Sequence, residues 1–247
     1  MPSTTLLLIL QQLPQLLHVV AHLHDNNSSG PVTIAPSLLA PSLQSFILRG
    51  DCSNILEFLT LPGLRNLQIN HADIDFCSCL EFFKRSACSL NYLAVRCDGG
   101  KLAACLDAIP TVTSLYIDGN CDMSLFARIL TGTPLLVPRL STLTLRLFRP
   151  KDYHLSLVDF LAERFARGLV SVKVHLDHMS SWLPPADCLA KLNELISGGM
   201  DVELRRAEQF WNGGDYCPQQ SEPEGATQLL SDDLLLMHKL DPREKFP

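Results

Sequence analysis

Few side chains in this sequence are spaced for covalent or metal chemistry. Cys77 and Cys79, with His71 just upstream, are ligand types suited to zinc. Tetrahedral zinc sites usually draw on C-x₂₋₄-C pairs, however, and no second pair follows at a workable spacing. Asp118-Gly119-Asn120-Cys121-Asp122 alternates oxygen-bearing residues as a calcium loop does. Its sixth position is Met123, where the turn demands Gly, and its twelfth is Ile129, where a bidentate Glu is needed. Asp98-Gly99-Gly100-Lys101 resembles a phosphate loop only superficially, because Leu102 stands where Ser or Thr should follow the lysine. G-x-S-x-G, H-E-x-x-H and G-x-G-x-x-G are all missing. The expectation is therefore no catalytic, cofactor-binding or metal-ligating residue. What remains is recognition chemistry. Arg49, Arg96 and Arg146, with Tyr92 and Tyr116, belong to the residue types enriched at binding hot spots. Whether they stand together depends on the elements that carry them.

Those elements repeat. The pattern P-x-L-x-x-L-x-L, with aliphatic substitutions, begins at Pro14, Pro41, Pro62, Cys88, Pro110, Pro138 and, more weakly, Arg167. The intervals run from 21 to 29 residues. A period in the twenties with an L-x-x-L-x-L core is the signature of leucine-rich repeats. The alternation L-x-L makes a short strand with one apolar face, which a single unit cannot cover and a stack of units can. The 47 leucines supply the filler. The spacing predicts an α/β leucine-rich-repeat solenoid, or horseshoe, with a parallel concave sheet and convex helices. It should span residues 1–204 as about seven irregular repeats.

The segments between strands show helical spacing. Phe76, Leu80 and Phe83 should share one face, as should Leu157, Leu161 and Phe165, with Gly168 as a stop. Leu189, Leu192 and Ile196 align in a third, closed by Gly198 and Gly199. In the first of these helices Cys77 should face inward and Cys79 partly outward. The linker near "SNILEFLTL" is short enough for only a turn or two, and "GMDVEL" (199–204) should add a last, atypical strand. Residues 205–247 form a polar tail rich in Gly, Pro and Glu, with a short apolar-faced helix expected over 226–240.

If the leucines of L-x-L point inward, the residues between them line the concave surface in three columns. The first is His18, Ser45, Asn66, Tyr92, Ser114, Thr142 and Ser171. The second is Val20, Ile47, Gln68, Ala94, Tyr116, Thr144 and Lys173. The third is His22, Arg49, Asn70, Arg96, Asp118, Arg146 and His175. Arg49, Asn70, Tyr92, Arg96, Tyr116, Asp118, Arg146 and Lys173 are thus the candidate partner-binding residues. They suit an acidic protein segment, although Asp118 offers the arginines an internal partner as well.

Bulk properties narrow the classes. The net charge of −6 gives no global basic field for nucleic acid or anionic membrane. The N-terminus lacks the basic region and unbroken apolar run of a signal peptide. No stretch approaches the roughly 18 apolar residues of a membrane helix. The nine cysteines then read as reduced core thiols. A cytoplasmic or nuclear monomer is expected.

The P-x-L-x-x-L-x-L strands, the uneven units, the "LVDFLAERFARG" helix before a V-x-V strand and the "GMDVEL" ending resemble the leucine-rich-repeat region of F-box-like proteins of fungal type. The resemblance covers roughly residues 5–204. It implies a substrate-recognition part of a cullin–RING ubiquitin-ligase adaptor, in which the repeats hold the substrate and an N-terminal F-box binds a Skp-type linker. No F-box is present in this chain, where Met1 to Gln12 leaves room for only the last helix of such a bundle. The linker is therefore expected only if an F-box lies upstream. The alternative is a free-standing repeat scaffold or interaction module unrelated to ubiquitin.

Overall fold

The computed structural model describes residues 1–24, 38–50, 55–70, 76–96, 102–119, 130–132, 136–147, 154–176 and 185–206. The chain divides into two compact units, Met1–Glu208 and Gln209–Pro247. The second lies outside the described residues, as do the helix expected over 226–240, His71, Lys101 and Asp122.

The first unit is an α/β structure built on one eight-stranded sheet. Its strands are β1 (His18–Leu23), β3 (Ser45–Gly50), β5 (Asn66–Asn70), β6 (Tyr92–Arg96), β7 (Ser114–Gly119), β8 (Thr142–Leu147), β9 (Ser171–Leu176) and β10 (Asp201–Arg206). They lie side by side in chain order and every pair is parallel. A second, two-stranded sheet joins β2 (Leu38–Leu39) to β4 (Leu59–Thr60). Helices α1 (Ser3–Gln12), α2 (Phe76–Ser86), α3 (Leu102–Asp107), α4 (His154–Phe165) and α5 (Ala186–Ser197) occupy the intervals. The short linker forms a single 3₁₀ turn, Ile55–Phe58, and β10 runs two residues past Leu204.

The proline of the repeat has a specific task. Leu16, Leu43, Leu64, Val112 and Leu140 each donate their N–H to the carbonyl three residues back: Leu13, Ala40, Leu61, Ile109 and Val137. Each is a β-turn with proline in its second position, where the fixed φ of the ring is already correct. The turn delivers the chain into the next strand. The carbonyl just before each strand then accepts two successive N–H groups from the following unit. Leu17 O takes those of Gln44 and Ser45, Gln44 O those of Arg65 and Asn66, and Arg65 O those of Asn91 and Tyr92. Asn91, Thr113 and Ser141 repeat the pattern. Register is locked at the start of the strand, so each unit copies the previous one.

Two units lack the proline, at Cys88 and Arg167, and they enter their strands differently. Here α2 and α4 run almost to the strand and end in a left-handed residue, Ala87 (φ 46°) and Gly168 (φ 101°). After α4, Gly168 N–H reaches Phe165 O and Leu169 N–H reaches Arg164 O, the paired bonds of a Schellman stop. The same two units carry an arginine three residues before the motif. Arg85 donates to Leu56 O at 2.6 Å and to Leu59 O at 2.8 Å, and so caps the 3₁₀ turn of the preceding unit. Arg164, only 1 % exposed, donates to Leu130 O (3.2 Å) and Val137 O (2.9 Å). Burial pulls its pKa below the ordinary guanidinium value, reinforced by Arg167 and opposed by Glu163.

One face of the sheet is closed. Leu43, Phe46, Leu48, Leu64, Leu67, Leu90, Leu93, Leu115, Leu143 and Val172 are all 1 % exposed or less, in one core with Phe82, Leu102, Cys105 and Leu161 from the helices. Each such side chain contributes about 1.5–3 kcal/mol by leaving water. Helix α1 seals the β1 end with Leu6, Leu7 and Leu10. In α4 the expected face of Leu157, Leu161 and Phe165 does pack on the core, but the faces of α2 and α5 differ from the sequence expectation. In α2, Cys79, Phe82 and Phe83 are buried while Phe76 and Leu80 are only half-buried, and Cys77 is the exposed thiol. That reverses the expected order of the two cysteines. In α5 the buried positions are Cys188 and Leu192, with Leu195 packed beside them and Ile196 exposed.

Candidate binding surface

The opposite face carries the three columns in register. In the first, His18, Ser45, Asn66, Tyr92, Ser114, Thr142 and Ser171 pair successively, and β10 adds Asp201. The second runs from Val20 through Ile47, Gln68, Ala94, Tyr116, Thr144 and Lys173 to Glu203. The third pairs His22 with Arg49 and Asn70, then Arg96 with Asp118, Arg146, His175 and Arg205. All eight candidate residues therefore lie on this open face. They form a band rather than a pocket: β3, which carries Arg49, and β9, which carries Lys173, are five strand spacings apart, about 24 Å at ~4.8 Å each.

The columns are not uniformly exposed. Ala94 is 1 % exposed and Gln68 7 %, so the second column sinks below the surface between β5 and β6. Gln68 uses its position to donate from Nε2 to Asn70 Oδ1 at 3.2 Å. Arg49 Nη1 lies 3.2 Å from His22 Nε2, a bond in which the guanidinium must donate and the neutral imidazole accept.

From β7 onward the cations meet carboxylates. Arg146 is 3.5 Å from Asp118 Oδ2, and Lys173 is 3.2 Å from Glu203, which also accepts from Arg205. Ser171 donates to Asp201 at 2.9 Å. Burial raises the Asp118 carboxyl above its usual value, against the opposing pull of Arg146 and Arg96. Its Oδ1 is buried and accepts no hydrogen bond. His175 is pushed below its usual value by burial and then by Arg205, with Glu203 pulling the other way and Arg146 and Lys173 adding to the depression. Burial works against ionised Glu203, but Lys173 and Arg205 outweigh it and hold the carboxyl below the usual range.

Three residues of this surface fell outside the expected columns: Asp201, Glu203 and Arg205. "GMDVEL" signalled the strand, and extending the alternation of β9 across it would have placed all three. Among the described residues, no three His, Cys, Asp or Glu side chains are grouped to hold a metal ion. No described helix is long and apolar enough to cross a membrane. No family model, curated protein or solved structure matches this chain.

Proposed function

We propose that this chain is a non-catalytic leucine-rich-repeat solenoid whose open face is a concave surface that binds a protein partner. In this reading it is the substrate-recognition part of an F-box-like ubiquitin-ligase adaptor, and the partner presents acidic groups. The observation that carries the reading is the register itself. Eight parallel strands in chain order hold three columns of side chains, the first and third polar or aromatic throughout and the second mixed, opposite one buried leucine ladder. A stack that closes only one face leaves the other as an extended recognition surface.

The β1 end supports the adaptor role. Leu8, Leu13, Leu17, Val20 and Leu39 account for five of the seven exposed large apolar side chains among the described residues. An apolar end of that kind suits a neighbouring helical domain or linker protein. The free-standing scaffold remains the second reading, favoured by α1, whose Leu6, Leu7 and Leu10 already seal the core there.

Affinity capture from cell extract, comparing the chain with an Arg49→Gln/Arg96→Gln/Arg146→Gln variant, tests the surface. The expected result is a set of captured proteins lost from the variant, with thermal unfolding unchanged. Identical capture by both proteins would sink the open-face reading. Mapping the 5′ end of the transcript separates the two readings: an in-frame F-box-type segment upstream of Met1 would mark the adaptor, and a stop codon with no such segment would leave the scaffold.

A further inference from the structure

The carbonyl that opens each strand holds the start of the next one. Leu17, Gln44, Arg65, Asn91, Thr113 and Ser141 each accept two successive N–H groups, and Val170 O holds Asp201 N–H at 2.9 Å. The register identifies the two ends of this series. Leu17 and His18 carry the donors equivalent to those of Gln44 and Ser45, and Met200 O is the acceptor equivalent to Val170 O. Among the described residues these three groups have no hydrogen-bond partner. One end lacks an acceptor and the other lacks its donors.

The strand edges agree with this. Leu17 O faces β3, so by the alternation of a strand His18 and Val20 turn their N–H and C=O away from it. Asp201 N–H faces β9, so Val202 and Leu204 do the same at β10. Met1 shows how a chain runs beside β1. Its amine donates to His22 O at 2.7 Å and its carbonyl accepts from His24 N–H at 3.1 Å, one parallel step level with Leu23. Both ends also present apolar surface. At β1 these are Val20 (61 % exposed) and Leu17 (47 %) with partly buried Leu16 and Val19, and at β10 Ile196 (40 %) with partly buried Leu195 and Leu204.

We propose that these ends bind each other between two copies of this chain, β10 of one seated in parallel on β1 of the next. The register continues the stack by one step, from Asp201 beside His18 to Arg205 beside His22, where Met1 fills the next place. Met200 O takes the N–H groups of Leu17 and His18, and Val202 and Leu204 exchange backbone bonds with His18 and Val20. On the core side Val202 meets Val19 and Leu204 meets Ala21. On the open face the Asp201 carboxylate meets the His18 imidazole, an acceptor against a donor. Glu203, already held by Lys173 and Arg205, comes level with Val20. An antiparallel β1–β1 contact centred on Val20 would instead bring the second copy's Leu17 level with Leu23, the place Met1 holds. The contact is heterologous, so copies add head to tail in place of the expected monomer. It belongs with the scaffold reading, because the adaptor reading gives the β1 end to a neighbouring domain.

Sedimentation velocity of the full chain from about 1 µM to about 1 mM tests this. The weight-average mass is expected to rise with concentration past that of a dimer. Val20→Pro removes an N–H that faces the free edge and none inside the sheet, and Leu204→Pro does the same at β10. Each variant alone should stay monomeric over this range. Mixed in equal amounts they should form a dimer and nothing larger, because each keeps the end that the other has lost. Circular dichroism melts establish that both are folded. Val20→Glu, which sets a carboxylate against Glu203 without touching the backbone, should also stay monomeric. A wild-type chain that is monomeric throughout would overturn the inference, and protein capture through the open face would then still stand. Association retained by Val20→Pro and Val20→Glu would overturn the β1 contact. A mixture that stays monomeric would overturn the head-to-tail pairing.

Discussion

Across β1, β3, β5 and β6 the open face carries Arg49, Arg96, two histidines and the amides of Asn66, Gln68 and Asn70. Across β7 to β10 it carries Arg146, Lys173 and Arg205 threaded with Asp118, Asp201 and Glu203. The buried ladder behind the two halves is the same, with Leu67 and Leu93 on one side and Leu115 and Leu143 on the other, all 1 % exposed or less. Packing therefore does not call for the difference. In the second half the cations are answered on their own face, by Asp118 for Arg146 and by Glu203 for Lys173 and Arg205. Exposed pairs of this kind contribute little stability but leave a patch close to neutral. In the first half Arg49 lies beside His22, and Arg96 stands opposite Asp118 of the neighbouring β7, so the carboxylates nearest that boundary come from the second half. One repeat unit can thus be reused with its core fixed and its face rewritten.

The largest expected effect tests that common core. Leu67 in β5 and Leu143 in β8 occupy equivalent positions and are both 0 % exposed. Leu67→Ala and Leu143→Ala should each cost about 2–5 kcal/mol in urea denaturation, through lost transfer energy and the cavity left behind. Similar costs would confirm that the halves differ only at the surface. A cost below about 1 kcal/mol at either site would break the comparison, because that half would then not depend on the ladder.

The two capping arginines give a smaller effect that separates the halves. Arg164 is fully buried with carbonyl partners at 2.9 and 3.2 Å, whereas Arg85 is exposed over much of its length. Arg164→Met keeps the stem but leaves Leu130 O and Val137 O without their donor. A loss of about 2–3 kcal/mol is expected, against about 1 kcal/mol for Arg85→Met, where water can replace the guanidinium. Equal losses would mean that burial does not govern what these caps contribute.

These arginines also mark where the sequence was hard to read. Strand faces are legible because a period of two leaves only two phases, and buried leucines choose between them. That is why all eight candidate residues fall on the open face. Helical phase turns by about 100° per residue, so an error of one residue in the start changes which side chains are inside. Leu195 and Ile196 are separated by one such step, and Cys77 and Cys79 by two, which sets the two thiols on nearly opposite sides of α2. Arg164 was missed for a different reason. A charged residue amid a helix ordinarily faces water, and only its shared place with Arg85, three residues before a motif that lacks proline, hints otherwise. The lack of carboxylates on the strands of the first half was written in the columns, but its contrast needed β10 and the ion pairs to become visible.

The smallest effect is the response to pH, which belongs to the second half. His175 in β9 titrates below its ordinary value of 6.5 when folded. Between the folded and unfolded values only the unfolded chain takes up the proton, so this contribution to stability is present above 6.5 and lost as pH falls through the folded value. Asp118 has the opposite sign. Its folded value lies above 3.8, so its contribution is full below 3.8 and lost as pH rises through the folded value. Melting temperatures followed from neutral pH downward should therefore decline first through His175 and regain some ground as Asp118 protonates. His175→Gln should flatten the first limb. Asp118→Asn should remove the second, without lowering stability at neutral pH, because the ionised carboxylate is already disfavoured by burial there. Arg49→Gln, on the half without face carboxylates, should leave both limbs in place. A curve that changes shape in Arg49→Gln as much as in His175→Gln would show that the two halves share one electrostatic network, and the division drawn between them would fall.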